Sequence, residues 1–539
     1  MKYPLKCCLL FLVALLLGIT LRLPQLQQRP IHTDEAVNAV KFGQLLEENF
    51  YQYNPKEYHG PTLYYFTLVP AWLNGIAEFK DLGEVTLRIV PVFFGLLLIL
   101  MSLLLLDGLG RWATVIVATL TAISPAFVFY SRYYIHEILL VFFAFGIIVC
   151  GYRYTRSKNI KWALLTGMFL GLCHATKETC IIAFGSMLLA LLLTLIMQHK
   201  EMGSIWNVRK SIKPNHLIAA IVTAVIVSVL LYSSFLTNPP GIPDSLRAYS
   251  LYFSRASENQ LHIHPWYYYL KTLIYFRVAA GPAWSEALIV LMAGVGFIVA
   301  MLKKPLISID FHLLRFIAFY TTIMTVLYSV IPYKTPWCML GFLHGMILLA
   351  AVGVVAIVKL VPNFVVRSLI VLALLVCSGH LVWQGYLSNY KFYADTCNPY
   401  VYGHTGSDVF NITRRVEEVA QVHPDGHNMH IQVICPEGDY WPLPWYLRLF
   451  RNVGWRSEVD ESRPTAPVII ASPSVESALM RKLYELPPPG KKNLYVPLFD
   501  SYTELRPQVE LRGYITKDLW DHFQKHQAES VLPQTIDEK

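Results

Sequence analysis

Ionisable residues are scarce in this chain, and a few short runs concentrate them. Ile31-His32-Thr33-Asp34-Glu35-Ala36 places two acids side by side. Thr33 is positioned to cap a helix running through Val37, Val40 and Leu46, with Asp34 and Glu35 in its first turn. Acids there complement the helix dipole. A carboxylate held where solvation is reduced is also a stronger base, so the pair has a structural and a catalytic reading. Tyr130-Ser131-Arg132-Tyr133-Tyr134-Ile135-His136-Glu137 ends with an acid at the rim of an apolar run, where charge is expensive and usually functional. The structural alternative is a Glu137–Arg132 pair.

Three further runs carry polar chemistry. Thr176-Lys177-Glu178-Thr179 is a charged turn between apolar stretches, either paired internally or part of a site. Pro332-Tyr333-Lys334-Thr335-Pro336-Trp337 sets a single Lys before a helix beginning with Pro336, which suits capture of a phosphate or, alternatively, snorkelling to headgroups. The stretch Tyr51–Pro61 holds Tyr51, Tyr53 and Tyr58, and then His59 beside a tight turn. Tyrosines favour membrane interfaces and also form hydrogen-bonding platforms for sugars. His262 and His264 lack a third ligand in sequence and give a weak metal signal. No Walker, dinucleotide, H-E-x-x-H or G-x-S-x-G motif occurs.

The elements that must position these residues are apolar. Only 15% of residues are charged, 55% are hydrophobic and mean hydropathy is +0.42. That composition cannot cover soluble cores of this size. A ~30 Å hydrocarbon layer needs roughly 20 apolar residues per helix. Runs of that kind fall near 5–23, 87–106, 112–130, 138–152, 162–175, 180–198, 216–236, 283–302, 312–331, 336–358 and 367–386. About eleven membrane helices are therefore expected. The first reads as an uncleaved anchor, and 61–77, broken by Pro70 and Asn74, as interfacial or re-entrant.

Charge orients these spans. With the N-terminus cytoplasmic, the inner segments carry a net +13, the outer loops and helix mouths zero, and the tail from 388 a net −4, accounting for the overall +9. This follows the positive-inside rule, so the basic surplus is a topology signal and no nucleic-acid footprint. The expected location is the cell membrane, multi-pass, with the C-terminal part extracytoplasmic. Residues 1–387 form the membrane domain, with a first outer loop at 24–86, and 388–539 an exported α/β domain. In that domain Ser407–Val422 is helical, His430–Ile434, Pro467–Ala471 and Val509–Ile515 are strands, and a helix runs to about Glu485. Cys397 and Cys435 are the two exported cysteines, and an oxidising compartment would permit their pairing.

With its acidic pair in the first outer loop, a second acid after the third span and an exported C-terminal domain, the chain resembles the GT-C glycosyltransferases. Its membrane half is similar to the dolichyl-phosphate-mannose–protein mannosyltransferases and to the aminoarabinose transferases acting on lipid A. The runs Tyr58–Pro61, Tyr333–Trp337, Asn398-Pro-Tyr-Val-Tyr402 and Glu510-Leu-Arg-Gly-Tyr514 resemble a prokaryotic branch related to the flippase-associated protein of archaeal N-glycosylation. The resemblance implies a GT-C-like polytopic α-helical fold. It also implies transfer of a hexosyl- or pentosyl-type sugar, with inversion, from a polyprenyl-phosphate donor on the extracytoplasmic face.

On that resemblance Asp34 matches the base and Glu35 its acidic neighbour. Glu137, with His136 and His59, would position acceptor, phosphate or metal. Lys334, Lys177 and Tyr333 would hold the donor phosphate, and Tyr58, Tyr53 and Trp337 would supply aromatic surface for sugar or interface. His59 departs from the wider family, which often has Lys before a Pro-Pro pair. A divalent metal, Mg or Mn, on Glu35 or Glu137 is left open, as is the acceptor: protein, lipid or glycan. The rival role is non-enzymatic binding of lipid-linked glycans beside a flippase.

Overall fold

The structure, a computed structural model, describes residues 5–56, 59–202, 213–258, 262–302, 309–488, 490 and 492–531. It divides into two compact units. The first comprises Met1–Gln27, Gln44–Ala77 and Leu82–Tyr402, and the second Gln28–Gly43, Glu78–Asp81 and Gly403–Lys539.

The first unit is helical. Among the described residues, eight helices are long and apolar enough to cross a membrane: Leu5–Arg22, Glu84–Leu109, Glu137–Ser157, Cys180–Gln198, Pro214–Tyr232, Phe311–Val330, Pro336–Leu360 and Phe364–Lys391. Three shorter apolar helices, Arg111–Ile123, Ile160–His174 and Ala287–Leu302, occupy the other expected runs. Ser124 interrupts the third run; its hydroxyl caps the short helix Pro125–Tyr130, because Pro125 cannot continue the preceding ladder. Thr62–Leu73 forms a 12-residue helix ending at Asn74. At 1.5 Å per residue it spans ~18 Å, short of the ~30 Å hydrocarbon layer.

Two kinds of contact hold the bundle. Gly296 and Gly353 let the helices Ala287–Leu302 and Leu340–Leu360 touch backbone to backbone. A Cβ at either would lie 2.1 Å from a carbonyl oxygen of the other helix, at Leu349 or Met292; small residues permit such approach in lipid. Arg132 clasps the end of the first helix, donating to the carbonyls of Arg22 (2.9 Å), Pro24 (2.7 Å) and Gln25 (3.1 Å).

The boundary expected at 387/388 lies inside the first unit by this division. The helix Phe364–Tyr386 continues as π-helix through Lys391, and the residues beyond are tied back to it and to the bundle. Asn398 donates to the carbonyls of Ser388 (3.1 Å) and Phe392 (3.0 Å). Tyr130 donates to the Tyr400 carbonyl at 2.9 Å.

The second unit carries a five-stranded sheet in the order β2-β1-β3-β7-β4, where β1 is Ile431–Ile434, β2 Val453–Arg456, β3 Val468–Ala471, β4 Tyr495–Pro497 and β7 Arg512–Thr516. β1 is parallel to both β2 and β3, and β7 is antiparallel to β3 and β4. A separate hairpin pairs β5 (Glu504–Arg506) with β6 (Val509–Glu510). β1 and β3 are buried throughout, Gln432 of β1 included, as central strands covered on both faces are. Helix Asp408–Val422 buries Val409, Ile412, Val416, Val419 and Ala420 along one face. Ala466, Ile469, Leu479 and Leu483 close part of the core.

The strand expected over 509–515 is two strands broken at Leu511. β2, β4 and β5 were not foreseen, because three- and four-residue strands leave little periodicity to read. Cys397 and Cys435 are both free and buried. Burial pushes each thiol up to about 12, leaving little nucleophilic thiolate at neutral pH.

Candidate active site

Glu137 opens the helix Glu137–Ser157, and its carboxylate meets the Lys177 ammonium at 2.5 Å. The side chains are 6% and 10% exposed, so this is a buried pair. The Glu137–Arg132 pairing and the internal Lys177–Glu178 pairing are both replaced: Arg132 is spent on main-chain carbonyls, and Glu178 turns to another partner. The Glu137–Lys177 pair heads a narrow groove. The groove runs along Leu140, Ala144 and Ile148 and is walled opposite by Met324, Tyr328 and Leu348, with Trp337 among its lining residues. Glu137 to Ile148 is eleven residues of helix, or ~16 Å. The groove is thus charged at one end and lined mainly by apolar side chains along its length.

Beside it lies a second polar cluster. His59 Nδ1 contacts a Glu178 oxygen at 2.8 Å, and the Tyr53 hydroxyl donates to the other at 3.0 Å. The His136 ring packs edge-on against His59 and Tyr64, and its Nε2 lies 3.0 Å from the Gly60 carbonyl. The backbone explains the Gly: Gly60 N–H donates to Thr176 O at 3.1 Å, and a Cβ there would fall 2.2 Å from the Ala175 oxygen. Only a bare Cα lets the His59 segment lie on the 175–179 turn.

Burial alone would raise the Glu178 carboxyl. The His59 charge and hydrogen bond, joined by Lys177, outweigh it and bring the group from 4.5 down to about 2. A depressed carboxylate stabilises the fold above its unfolded value and loses that contribution as pH falls through the folded value. Thermal unfolding in detergent is therefore expected to move down as pH falls from about 4.5 toward 2. Glu178→Gln is expected to be less stable at neutral pH and flatter across that window. An equally steep acid limb in the variant would assign the effect elsewhere.

Lys334 sits differently from its sequence reading. Its ammonium donates to the carbonyls of His264 (3.0 Å) and Ile331, and its own amide donates to His262 O at 2.9 Å. Ile263 and Tyr333 form an antiparallel bridge. His262 Nδ1 and His264 Nε2 both meet the Tyr402 hydroxyl, at 2.6 and 3.1 Å, so the two histidines converge on a phenol. Burial lowers the Lys334 ammonium. Here Lys334 pins two loops together. The Tyr333 ring stands edge-on to His262. Trp337 lies 6.0 Å from Tyr133 and 6.1 Å from Tyr402, ring to ring. Tyr58 lies outside the described residues.

Asp34 and Glu35 belong to the second unit. The helix Thr33–Glu48 is capped by His32 in place of Thr33: the Asp34 N–H donates to His32 Nδ1 at 3.0 Å, and the His32 N–H donates back to Glu35 Oε2 at 3.1 Å. This is a capping box with histidine in the first position. Arg29 stands 3.5 Å from the other Glu35 oxygen, and the Glu35 side chain is fully buried. The neighbouring acids therefore separate. Glu35 is committed to the local fold, whereas the Asp34 carboxylate is half-buried and makes no hydrogen bond or ion pair among the described residues.

The same commitments bear on a metal. Among the described residues no group of three or more His, Cys, Asp or Glu side chains is placed to hold one. Glu35 is bound to Arg29 and the His32 amide, and Glu137 to Lys177. Among the described residues neither carboxylate is part of a metal donor set.

Glu286 was missed by the sequence reading. Fully buried, its carboxylate accepts from the Ser124 hydroxyl (2.5 Å), the Ala126 amide (3.0 Å) and the Tyr400 hydroxyl (2.7 Å). The signal was present, since an acid directly before an apolar helix is the rule that selected Glu137. Glu178 likewise stood in a quoted turn, but its non-local partners His59 and Tyr53 were not legible there.

Residues 66–238 match the model of the dolichyl-phosphate-mannose-protein mannosyltransferase family. That segment includes His136, Glu137 and Lys177 but neither Asp34 nor Lys334. Among curated proteins, none matches the chain by sequence. Solved structures do. ArnT from Cupriavidus metallidurans, bound to undecaprenyl phosphate, superposes with a TM-score of 0.62 at 14% identity, over 94% of this chain and 97% of that one. The archaeal oligosaccharyltransferase AglB from Archaeoglobus fulgidus, in complex with an inhibitory peptide and a dolichol-phosphate, gives 0.53 at 11% identity, over 89% and 70%. The mycobacterial arabinofuranosyltransferase AftD gives 0.50 at 13% identity, over 95% and 40%. The chain is thus a multi-pass membrane protein with the GT-C fold of these glycosyltransferases, its C-terminal strand-containing domain included.

Proposed function

We propose that this protein is a membrane glycosyltransferase that moves a sugar from a polyprenyl-phosphate donor to an acceptor on the extracytoplasmic face, with inversion. The observation that carries the reading is the groove: apolar along ~16 Å of helix and headed by the buried Glu137–Lys177 pair. A long isoprenoid with a phosphate at one end has the same polarity profile. Lys177 offers the phosphate a cation, and Glu137 holds that cation in place. Asp34, whose carboxylate makes no hydrogen bond or ion pair among the described residues, takes the proton of the acceptor hydroxyl as its oxygen bonds the anomeric carbon. The bond from that carbon to the phosphate oxygen breaks, and polyprenyl phosphate leaves with the electron pair. Phosphate is already a good leaving group, so positioning and charge stabilisation supply most of the acceleration.

The test is incubation of the purified protein with labelled polyprenyl-phosphate sugars and candidate acceptors, following released polyprenyl phosphate. Binding without turnover across the panel would favour the non-enzymatic role. Groove occupancy has its own test in Ala144→Phe, which puts a ring into the apolar wall. The donor KM is expected to rise about tenfold or more, equivalent to ~1.4 kcal/mol of lost binding, for long-chain donors. A donor cut to one isoprene unit should be nearly unaffected. Equal effects on both donors would place the lipid elsewhere.

A further inference from the structure

The second unit has a switch point typical of parallel sheets, and one side chain ties the loop there to the residues before Asp34. β1 is flanked by β2 on one side and β3 on the other, both parallel to it. The chain therefore leaves β1 in one direction and returns on the opposite side. In open α/β sheets such a switch point opens a crevice at the carboxyl ends of the strands, where ligands bind. The loop leaving the carboxyl end of β1 is Cys435-Pro-Glu-Gly-Asp-Tyr-Trp441, and Glu437 and Gly438 both have positive φ.

Arg506, at the end of β5, reads this loop. Its guanidinium donates to Asp439 Oδ1 (2.5 Å) and to the Trp441 carbonyl (2.7 Å). The same group donates to Thr33 Oγ1 at 3.2 Å. Two more contacts fix the residues before Thr33: the Ile31 amide donates to the Tyr446 hydroxyl at 2.8 Å, and Thr405 Oγ1 donates to the Ile31 carbonyl at 2.7 Å. The His32 ring packs 4.8 Å from His404. Every one of these partners lies in the C-terminal part of the chain, and together they hold the three residues that precede Asp34.

We infer that the C-terminal domain is a positioning domain for the Asp34 segment, with Arg506 as its positioning residue, bridging the switch-point loop to Thr33 while Tyr446 and Thr405 hold Ile31. This deepens the proposed reading, since Asp34 is the base there. The domain then acts on the chemical step, because a proton acceptor displaced by about 1 Å can cost ~10²-fold in rate. Arg506 touches no reacting atom. It sets where the first turn of helix Thr33–Glu48 begins.

The test uses the full-length protein and two readouts. In the first, amide hydrogen exchange is followed over residues 31–38, with residues 431–434 and 468–471 as the internal folding control. Arg506→Ala and the milder Thr33→Val are expected to speed exchange in 31–38 while the β1 and β3 amides stay protected. This readout needs no turnover, so it stands even if the glycosyltransferase reading fails. In the second, both variants are expected to lower kcat about tenfold or more, the lost hydrogen bond to a charged group being worth at least that factor, with donor KM unchanged. Arg506→Lys should recover part of kcat. Protected 31–38 amides in both variants would overturn the inference. So would accelerated exchange accompanied by an unchanged kcat, since the segment would then be held for no catalytic end.

Discussion

Asp34→Asn is expected to lower release of polyprenyl phosphate by about 10²–10⁴-fold, the usual contribution of a positioned general base. Donor binding should be unchanged, because the substitution keeps the shape and removes only the proton acceptor. The argument rests on the contrast within the acidic pair. The Glu35 carboxylate is used on both oxygens, by the His32 amide and by Arg29. Protonating it during turnover would mean giving up contacts inside a fully buried site. Asp34 has no such commitments among the described residues. Glu35→Gln is therefore expected to act on stability, through the loss of a capping-box partner worth about 1 kcal/mol together with a buried charge contact, while turnover persists. The measurement is single-turnover release with pre-bound donor, beside thermal unfolding of each variant. If Asp34→Asn turns over at the wild-type rate, the base is another group. If Glu35→Gln abolishes turnover in a well-folded protein, the two roles must be exchanged.

How legible the molecule was from its residues depends on the range of each interaction. Membrane helices are written locally: a run of about 20 apolar residues has one stable conformation in a layer without water. Each expected run is accordingly helical, even where Ser124-Pro125 breaks it. The site residues were legible by type, because charge beside an apolar helix is costly enough to mark itself. Their partners were not. Proximity in sequence suggested Arg132 with Glu137 and Lys177 with Glu178. Each alternative was overridden by a contact many residues away: Arg132 by the carbonyls that end the first helix, Lys177 by Glu137, and Glu178 by His59. Lys334 shows the same effect, since nothing in its own run announces the His264 carbonyl. The cap of helix Thr33–Glu48 was misread for a related reason. A histidine ring nitrogen can do the work of a hydroxyl oxygen, although propensity favours Thr in that place.

The Glu137–Lys177 pair yields the largest expected effect on stability. Lys177→Met would leave a carboxylate 6% exposed without its cation, a change that costs about 3–5 kcal/mol in buried pairs. The double variant Glu137→Gln, Lys177→Met removes both charges at similar volume, and replacing both partners is often nearly neutral. Thermal unfolding in detergent should therefore rank the wild type and the double variant close together, with Lys177→Met well below both. Equal loss in single and double variants would show that the two charges are not coupled. The double variant then isolates function from folding. In the wild type, polyprenyl phosphate is expected to raise the unfolding temperature by mass action, because its phosphate pairs with the Lys177 ammonium that Glu137 holds in place in the folded protein. In the double variant the groove keeps its apolar wall, so the lipid tail can still enter, but the phosphate finds no cation there. The stabilisation by polyprenyl phosphate should then fall to that given by the corresponding uncharged polyprenol. A double variant stabilised by polyprenyl phosphate as strongly as the wild type would remove Lys177 from the donor site.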